Sequence, residues 1–419
     1  MVRLRPPGRR LHSRAAAPGP GRIQPGLPVR GRRRPGAAGR GRPLTPGERL
    51  VALTARLAPR PANLQSALAA APDWPDTLCL LGHHRLLARA HDCLKPWKQQ
   101  VPAPAWRTLA QAAADYWRTG AVVAQGSRSV LPALDDAGVA AVPLKGPWLA
   151  ERLGYPAGTR LTNDLDILVR PVDLAAARSV LSELGYRQLP EPVGLPGAHL
   201  VYVPGRPDLW LPQVEVHYNL AEPDGGAWSD RAWRRLHSRR WGDRAVLDLA
   251  AVDLVLYLSV HAARHNWFHL CHILELAYAV QAVGPKLDWA ALWREASLAG
   301  LSGALRLSLS VAGRMCGAPL PDGWWRGRPA GRSLRAGLGD LMLRRRGLVR
   351  PRPELRDGPY FTLLLAVVDD GLGRALHRLG AAARPPAAGE NGAGQARTGR
   401  RALGKAARLA RQLVAAAAV

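Results

Sequence analysis

At 419 residues the chain is long enough for two or three compact units, and its 47% hydrophobic content is ordinary for a globular protein. The net charge of +28 is uneven: residues 1–46 carry twelve arginines and no acid, residues 381–419 carry seven basic residues against Glu390, and the middle keeps +10. The most apolar windows, 246–263 and 360–368, are interrupted by Asp248 and Asp253 or too short for a bilayer, so no transmembrane helix is expected. Cys79, Cys93, Cys271 and Cys316 form no CxxC pair, which argues against a metal finger and points to a reducing, cytoplasmic setting.

The Arg, Pro and Gly-rich arm 1–46 has no apolar periodicity and is expected to be disordered, since it cannot bury enough surface to offset its ordering entropy. Such an arm could hold nucleic acid by counterion release, but a solvated tail is the plainer reading. Residues 47–133 read as a helical region, with leucines and alanines at three and four residue intervals over 47–70 and 106–134. At 137 the texture changes. An apolar strand over 139–144 runs into Lys145 and Gly146, and Pro147 then opens a helix that stops near Gly154.

The next apolar strand covers 165–169, and a helix begins at Pro171 and Asp173 and closes at Gly185. Strands follow over 186–189 and 198–203. Val214, Val216 and Tyr218 then alternate with Glu215, His217 and Asn219 as a half-buried strand. These pieces make a core unit over 134–222. A helical C-terminal region fills 223–380, with helices predicted over 246–265, 270–283, 289–298, 304–315 and 360–379. Residues 323–353 are read as partly loop. A basic flexible tail with a terminal helix over 402–419 closes the chain.

Two aspartates two residues apart in an apolar strand, Asp164 and Asp166, project from one face. Adjacent buried carboxylates repel, and a divalent cation between them and the phosphates of a nucleotide is the common remedy. Transfer with two metals calls for a third carboxylate, and Glu215, flanked by Val214 and Val216, is the candidate, with His217 sharing its face. A rival reading makes Glu215 a merely exposed strand residue. Lys145 and Gly146 stand at a strand-to-helix turn, where a cation and backbone N–H groups suit phosphate.

His261, His265, His269 and His272 raise a zinc reading, yet no HExxH glutamate is present, and a helix contact or polar rim of the cleft is favoured. His83, His84 and His91 are read as packing residues. Most of the fourteen tryptophans fall in helical segments, where core packing is expected.

The run LKGPWLAERLGYPAGTRLTNDLDILV, the later VEVHYNL and the distal HAARHNWFHLCHILELA together resemble the uncharacterised nucleotidyltransferase family of the DNA polymerase beta superfamily, members of which occur in bacterial biosynthetic clusters. The resemblance covers roughly residues 50–300. It implies an α+β fold, a small mixed-sheet polymerase-beta-like core flanked by N- and C-terminal helical regions. It implies Asp164, Asp166 and Glu215 as catalytic and metal-binding residues, with Mg2+, or alternatively Mn2+, as cofactor. Lys145, Gly146 and Arg160 are the implied nucleotide-binding residues, and Glu275 falls at an acidic position of the family, suited to bonding one of the histidines. Most of the superfamily has Gly-Ser at the phosphate turn, closer to the Asp pair, and Arg160 is suited to compensate as a phosphate clamp.

The reading is therefore transfer of NMP from an NTP, ATP foremost, to a small-molecule, peptide or protein acceptor. The rival is a non-catalytic nucleic-acid or partner-binding protein with a degenerate transferase fold; a tailoring kinase or transferase acting on a peptide is a third reading. Deleting 1–46 separates the first two: a binding protein loses affinity, an enzyme on a small acceptor hardly changes.

Overall fold

The chain's first helix starts where its cap dictates. Thr45 Oγ1 accepts from the Glu48 N–H at 3.2 Å and Glu48 Oε2 accepts from the Thr45 N–H at 3.0 Å, the reciprocal box that opens α1 (Pro46–Thr54). The structure is a computed structural model and describes residues 43–190, 199–206, 211–221, 226–242, 244–324, 333–350 and 364. Most of the arm 1–46, the whole tail 381–419 and, Leu364 apart, the helix expected over 360–379 lie outside the described residues.

Helices α2 (Pro61–Ala69), α3 (Trp74–His83) and α4 (Leu87–Leu94) follow, then the 34-residue α5 (Ala103–Asp136). The mixed segment comes next: β1 (Ala141–Pro143), α6 (Pro147–Arg152), β2 (Asp164–Val169), α7 (Leu174–Glu183), β3 (Tyr186–Gln188), β4 (His199–Pro204) and β5 (Gln213–His217). These strands form one five-stranded sheet in the order β1-β2-β5-β4-β3. Only β2 and β5 are parallel; every other pair is antiparallel. The α+β class with a small mixed sheet is thus as the sequence reads.

Beyond the sheet lie α8 (Ala227–Trp233), the hairpin β6 (His237–Trp241) and β7 (Arg244–Asp248), then α9 (Ala251–Arg264), α10 (Leu270–Val283), α11 (Trp289–Leu298), α12 (Ser302–Val311) and α13 (Ser333–Arg346). One expectation is corrected here. Residues 246–248 are strand and not the start of a helix, because they pair with β6 across a turn in which Gly242 takes φ +62°. Within 323–353, read as loop in part, residues 333–346 form a helix that the sequence reading did not place.

One large apolar core joins leucines of the N-terminal helices, such as Leu50, Leu81 and Leu94, to Leu256, Leu276 and Leu305 of the C-terminal helices, with Trp228, Trp267 and Trp293 fully buried among them. A second, smaller core lies between one face of the sheet and helices α5 and α7. Two arginines, Arg89 buried and Arg350 half-buried, tie distant segments. Arg89 donates to the carbonyls of Thr54, Arg56 and Leu57 and, at 2.9 Å, to the Tyr278 hydroxyl. Arg350 forks onto Asp76 and also reaches Glu48, linking the far end of the described chain to α3 and α1. Among the described residues no helix is long and apolar enough to cross a membrane.

Candidate functional site

The parallel pairing of β2 with β5 sets Asp166 directly beside Glu215 and Leu168 beside His217. Leu165, Ile167, Val214 and Val216 fill the smaller core, so the alternating positions Asp164, Asp166, Glu215 and His217 emerge on the other face of the sheet. The polar side chains share that face because the apolar ones must share the first.

Asp166 is the centre. It is 1% exposed, and its Oδ1 accepts from Lys145 Nζ at 2.9 Å and from His217 Nε2 at 3.0 Å. A carboxylate only accepts, so the neutral His217 ring carries its proton on Nε2. Burial opposes the Asp166 charge, but Lys145 and the His217 bond outweigh it and hold the group below its ordinary value. Burial likewise opposes the Lys145 ammonium, and Asp166 reverses this and raises it. Asp166 Oδ2 is buried with no hydrogen-bond partner.

The neighbouring acids move the other way. Burial, then the Asp166 charge, raises Asp164. Burial, then Asp166 and Asp164, raises Glu215 to about 7, although Gln213 Nε2 donates to its Oε1 at 3.0 Å. Burial lowers His217 and brings His199 to about 4.

A cavity of about 380 Å³ lies against this face. Lys145, Arg160, Asp164, Asp166 and Glu215, all read from the sequence as site residues, line it. Gly146 is not among its lining residues; it shapes the turn behind Lys145 with φ +84° and ψ −156°, a region open to glycine alone. Gly146→Ala is expected to cost about 1–3 kcal/mol of stability, read by urea unfolding. Arg160 is engaged by Glu275 at 3.0 Å and donates to Thr162 Oγ1 at 2.7 Å. The acid at 275 thus serves an arginine and not, as expected, a histidine.

The opposite wall comes from α9 and α10, with His261, His265, His272 and Arg264, and from Arg85 before α4. Burial lowers His261 and His272 well below their ordinary values; burial together with the Lys145 and Arg85 charges takes His265 to about 4. His269 turns away to the His83 carbonyl at 2.5 Å. The sequence reading missed His217 as Asp166's partner, although its place two residues after Glu215 was a usable signal. Arg85 and Arg264 gave none, being ordinary basic residues beside helix ends.

The described residues offer two sets of three ligand atoms lying within 4.8 Å of one another: Asp166, Glu215 and His217, and His261, His265 and His272. A family model described as uncharacterised nucleotidyltransferase matches residues 70–317. The chain belongs to that family. The match spans the cavity-lining residues from Arg85 to Glu275. Among solved structures, the solution structure of the antibiotic-resistance factor ANT(2'')-Ia is similar at 15% identity, over 45% of this chain and 92% of that one, with a TM-score of 0.30. A comparison with curated proteins finds no match.

Proposed function

We propose that the protein is a metal-dependent nucleotidyltransferase with a polymerase-beta-like core that moves NMP from an NTP, ATP foremost, to an acceptor hydroxyl. The observation that carries this reading is the abutment of Asp166 and Glu215 on parallel strands, with Asp164 two residues earlier and Asp166 Oδ2 left without a partner. An orphaned buried oxygen on Asp166, with Glu215 raised to about 7 and within ligand reach of it, suits a hard divalent cation. Asp164, Asp166 and Glu215 would hold Mg2+, or Mn2+ in its place. Such an ion would supply positive charge against the triphosphate and the developing transition state.

The chain's own groups do the rest. Lys145 and Arg160 steady the phosphates, and His217 fixes the orientation of Asp166 through its bond to Oδ1. The acceptor oxygen attacks the α-phosphorus, the bond to the β-phosphate oxygen breaks, pyrophosphate leaves, and Glu215 orients the hydroxyl and helps take its proton. The test is to incubate the purified chain with labelled NTPs, magnesium and a cell extract, following pyrophosphate and labelled product. Magnesium-dependent label on an acceptor is the expected result, and its absence with every NTP would sink the reading.

Glu215 adds a test on stability. Its folded value of about 7 lies above its ordinary 4.5, so the folded state binds the extra proton between the two, and a penalty accumulates as pH rises through that window. In chelator, the stability of the parent chain relative to Glu215→Gln is expected to fall by up to a few kcal/mol between about pH 4.5 and 7 and to level off above that. Magnesium should abolish the fall. A difference flat with pH in chelator would take Glu215 out of the carboxylate cluster.

A further inference from the structure

Across the cavity from the carboxylates, three imidazoles converge. His261 and His265 lie one turn apart at the end of α9 and its cap, and His272 projects from the first turn of α10. Their ring centroids are 4.5 Å apart for His261 and His265, 4.6 Å for His261 and His272, and 4.7 Å for His265 and His272. One nitrogen from each ring lies within 4.8 Å of the other two.

His272 is 5% exposed, and neither of its ring nitrogens has a hydrogen-bond partner. A buried polar group left unmatched costs about 1–3 kcal/mol, and a packing role does not recover it. The packing histidines of this chain behave differently: His83 Nε2 meets the Phe268 carbonyl at 3.1 Å and His84 Nε2 the Val349 carbonyl at 2.7 Å. The cavity trio turns its nitrogens toward one another instead.

We propose that His261, His265 and His272 form a second metal site, for a zinc-class ion, on the wall facing Asp166 and Glu215. Imidazole nitrogen favours zinc, copper or nickel over magnesium, so the two walls would sort ions by ligand chemistry. Three protein ligands with the fourth position open is the arrangement of a reactive and not a structural zinc. All three histidines line the cavity, so that open position faces the reacting space. Arg85, Arg264 and Lys145 line it too, and their charge favours an anionic fourth ligand: hydroxide, or the carboxylate or thiolate of a bound molecule. The proposal goes beyond the nucleotide reading and does not depend on it.

The test uses the full chain, stripped with chelator and then titrated with zinc and, separately, with cobalt(II). One zinc equivalent is expected to survive desalting and excess magnesium, and cobalt(II) to show a visible ligand-field band. His261→Gln and His265→Gln should each weaken binding by more than the roughly 10–100-fold lost with a mere supporting partner. Asp166→Asn should leave the cobalt band in place. Loss of the band in Asp166→Asn, no retained zinc in the parent chain, or undiminished binding in His265→Gln would each overturn the proposal. Thermal melts confirm that each variant is folded, and because the His265 side chain reaches the surface while its ring lines the cavity, that substitution decides even where the buried His272→Gln does not fold.

Discussion

Asp166→Asn is expected to lower nucleotide transfer by about 10³-fold or more while the chain still folds. The carboxylate does three things at once: Oδ1 accepts from Lys145 and from His217, and Oδ2 lies buried without a hydrogen-bond partner. Asparagine keeps the shape and one acceptor but removes the charge, so the Lys145 ammonium is left buried without its counter-ion. Breaking a buried pair from one side costs about 3–5 kcal/mol, which could pass for a catalytic loss if the protein simply melted. The double variant Asp166→Asn/Lys145→Met removes both charges and should regain much of the stability without regaining turnover. Pyrophosphate release and urea unfolding, measured on both variants, separate the two losses. Full magnesium-dependent turnover in Asp166→Asn would move the reaction away from this sheet face.

The largest stability loss is expected at Arg89, 3% exposed, whose guanidinium bonds to three carbonyls and a hydroxyl and not to a carboxylate. Its guanidinium serves the carbonyl of Thr54, the last residue of α1, and those of Arg56 and Leu57 just beyond it, a favourable place for a cation. It also donates to Tyr278, whose ring lies 4.0 Å from that of Tyr155 at the cavity wall. Arg89→Ala strips four acceptors of a donor, and each unmatched buried acceptor costs about 1–3 kcal/mol, so a loss of at least about 3 kcal/mol is expected. Arg89→Lys should recover only part, because an ammonium cannot reproduce the planar fork. An unfolding midpoint for Arg89→Ala equal to that of the parent chain would mean that water takes over these bonds.

Much of the cavity's carboxylate wall was legible because strands alternate: Asp164, Asp166 and Glu215 are acids at polar positions of apolar strands, and period two puts each on one face. Lys145 was legible from its place at the end of the first strand. What could not be read is what depends on which strands become neighbours. The Asp166 to His217 bond needs the parallel register of β2 with β5, and the Arg160 to Glu275 pair needs α10 to lie over the loop before β2. The β6–β7 hairpin was hidden because Arg239, Arg240 and Arg244 break the apolar pattern that marks a strand. Arg89 gave no signal, since an arginine on a helix is ordinarily a solvated one.

The Arg350 fork has a consequence for the order in which the protein can be completed during synthesis. Its partners Asp76 and Glu48 lie 274 and 302 residues earlier. At about 5–20 residues per second, roughly 14–55 s separate the translation of Asp76 from that of its arginine. Over much of that interval the N-terminal helices also wait for the C-terminal leucines that finish their core. The nascent chain therefore carries exposed apolar helices for a long time, and its yield in a foreign host should respond to chaperones and to translation speed more than to codons in the sheet.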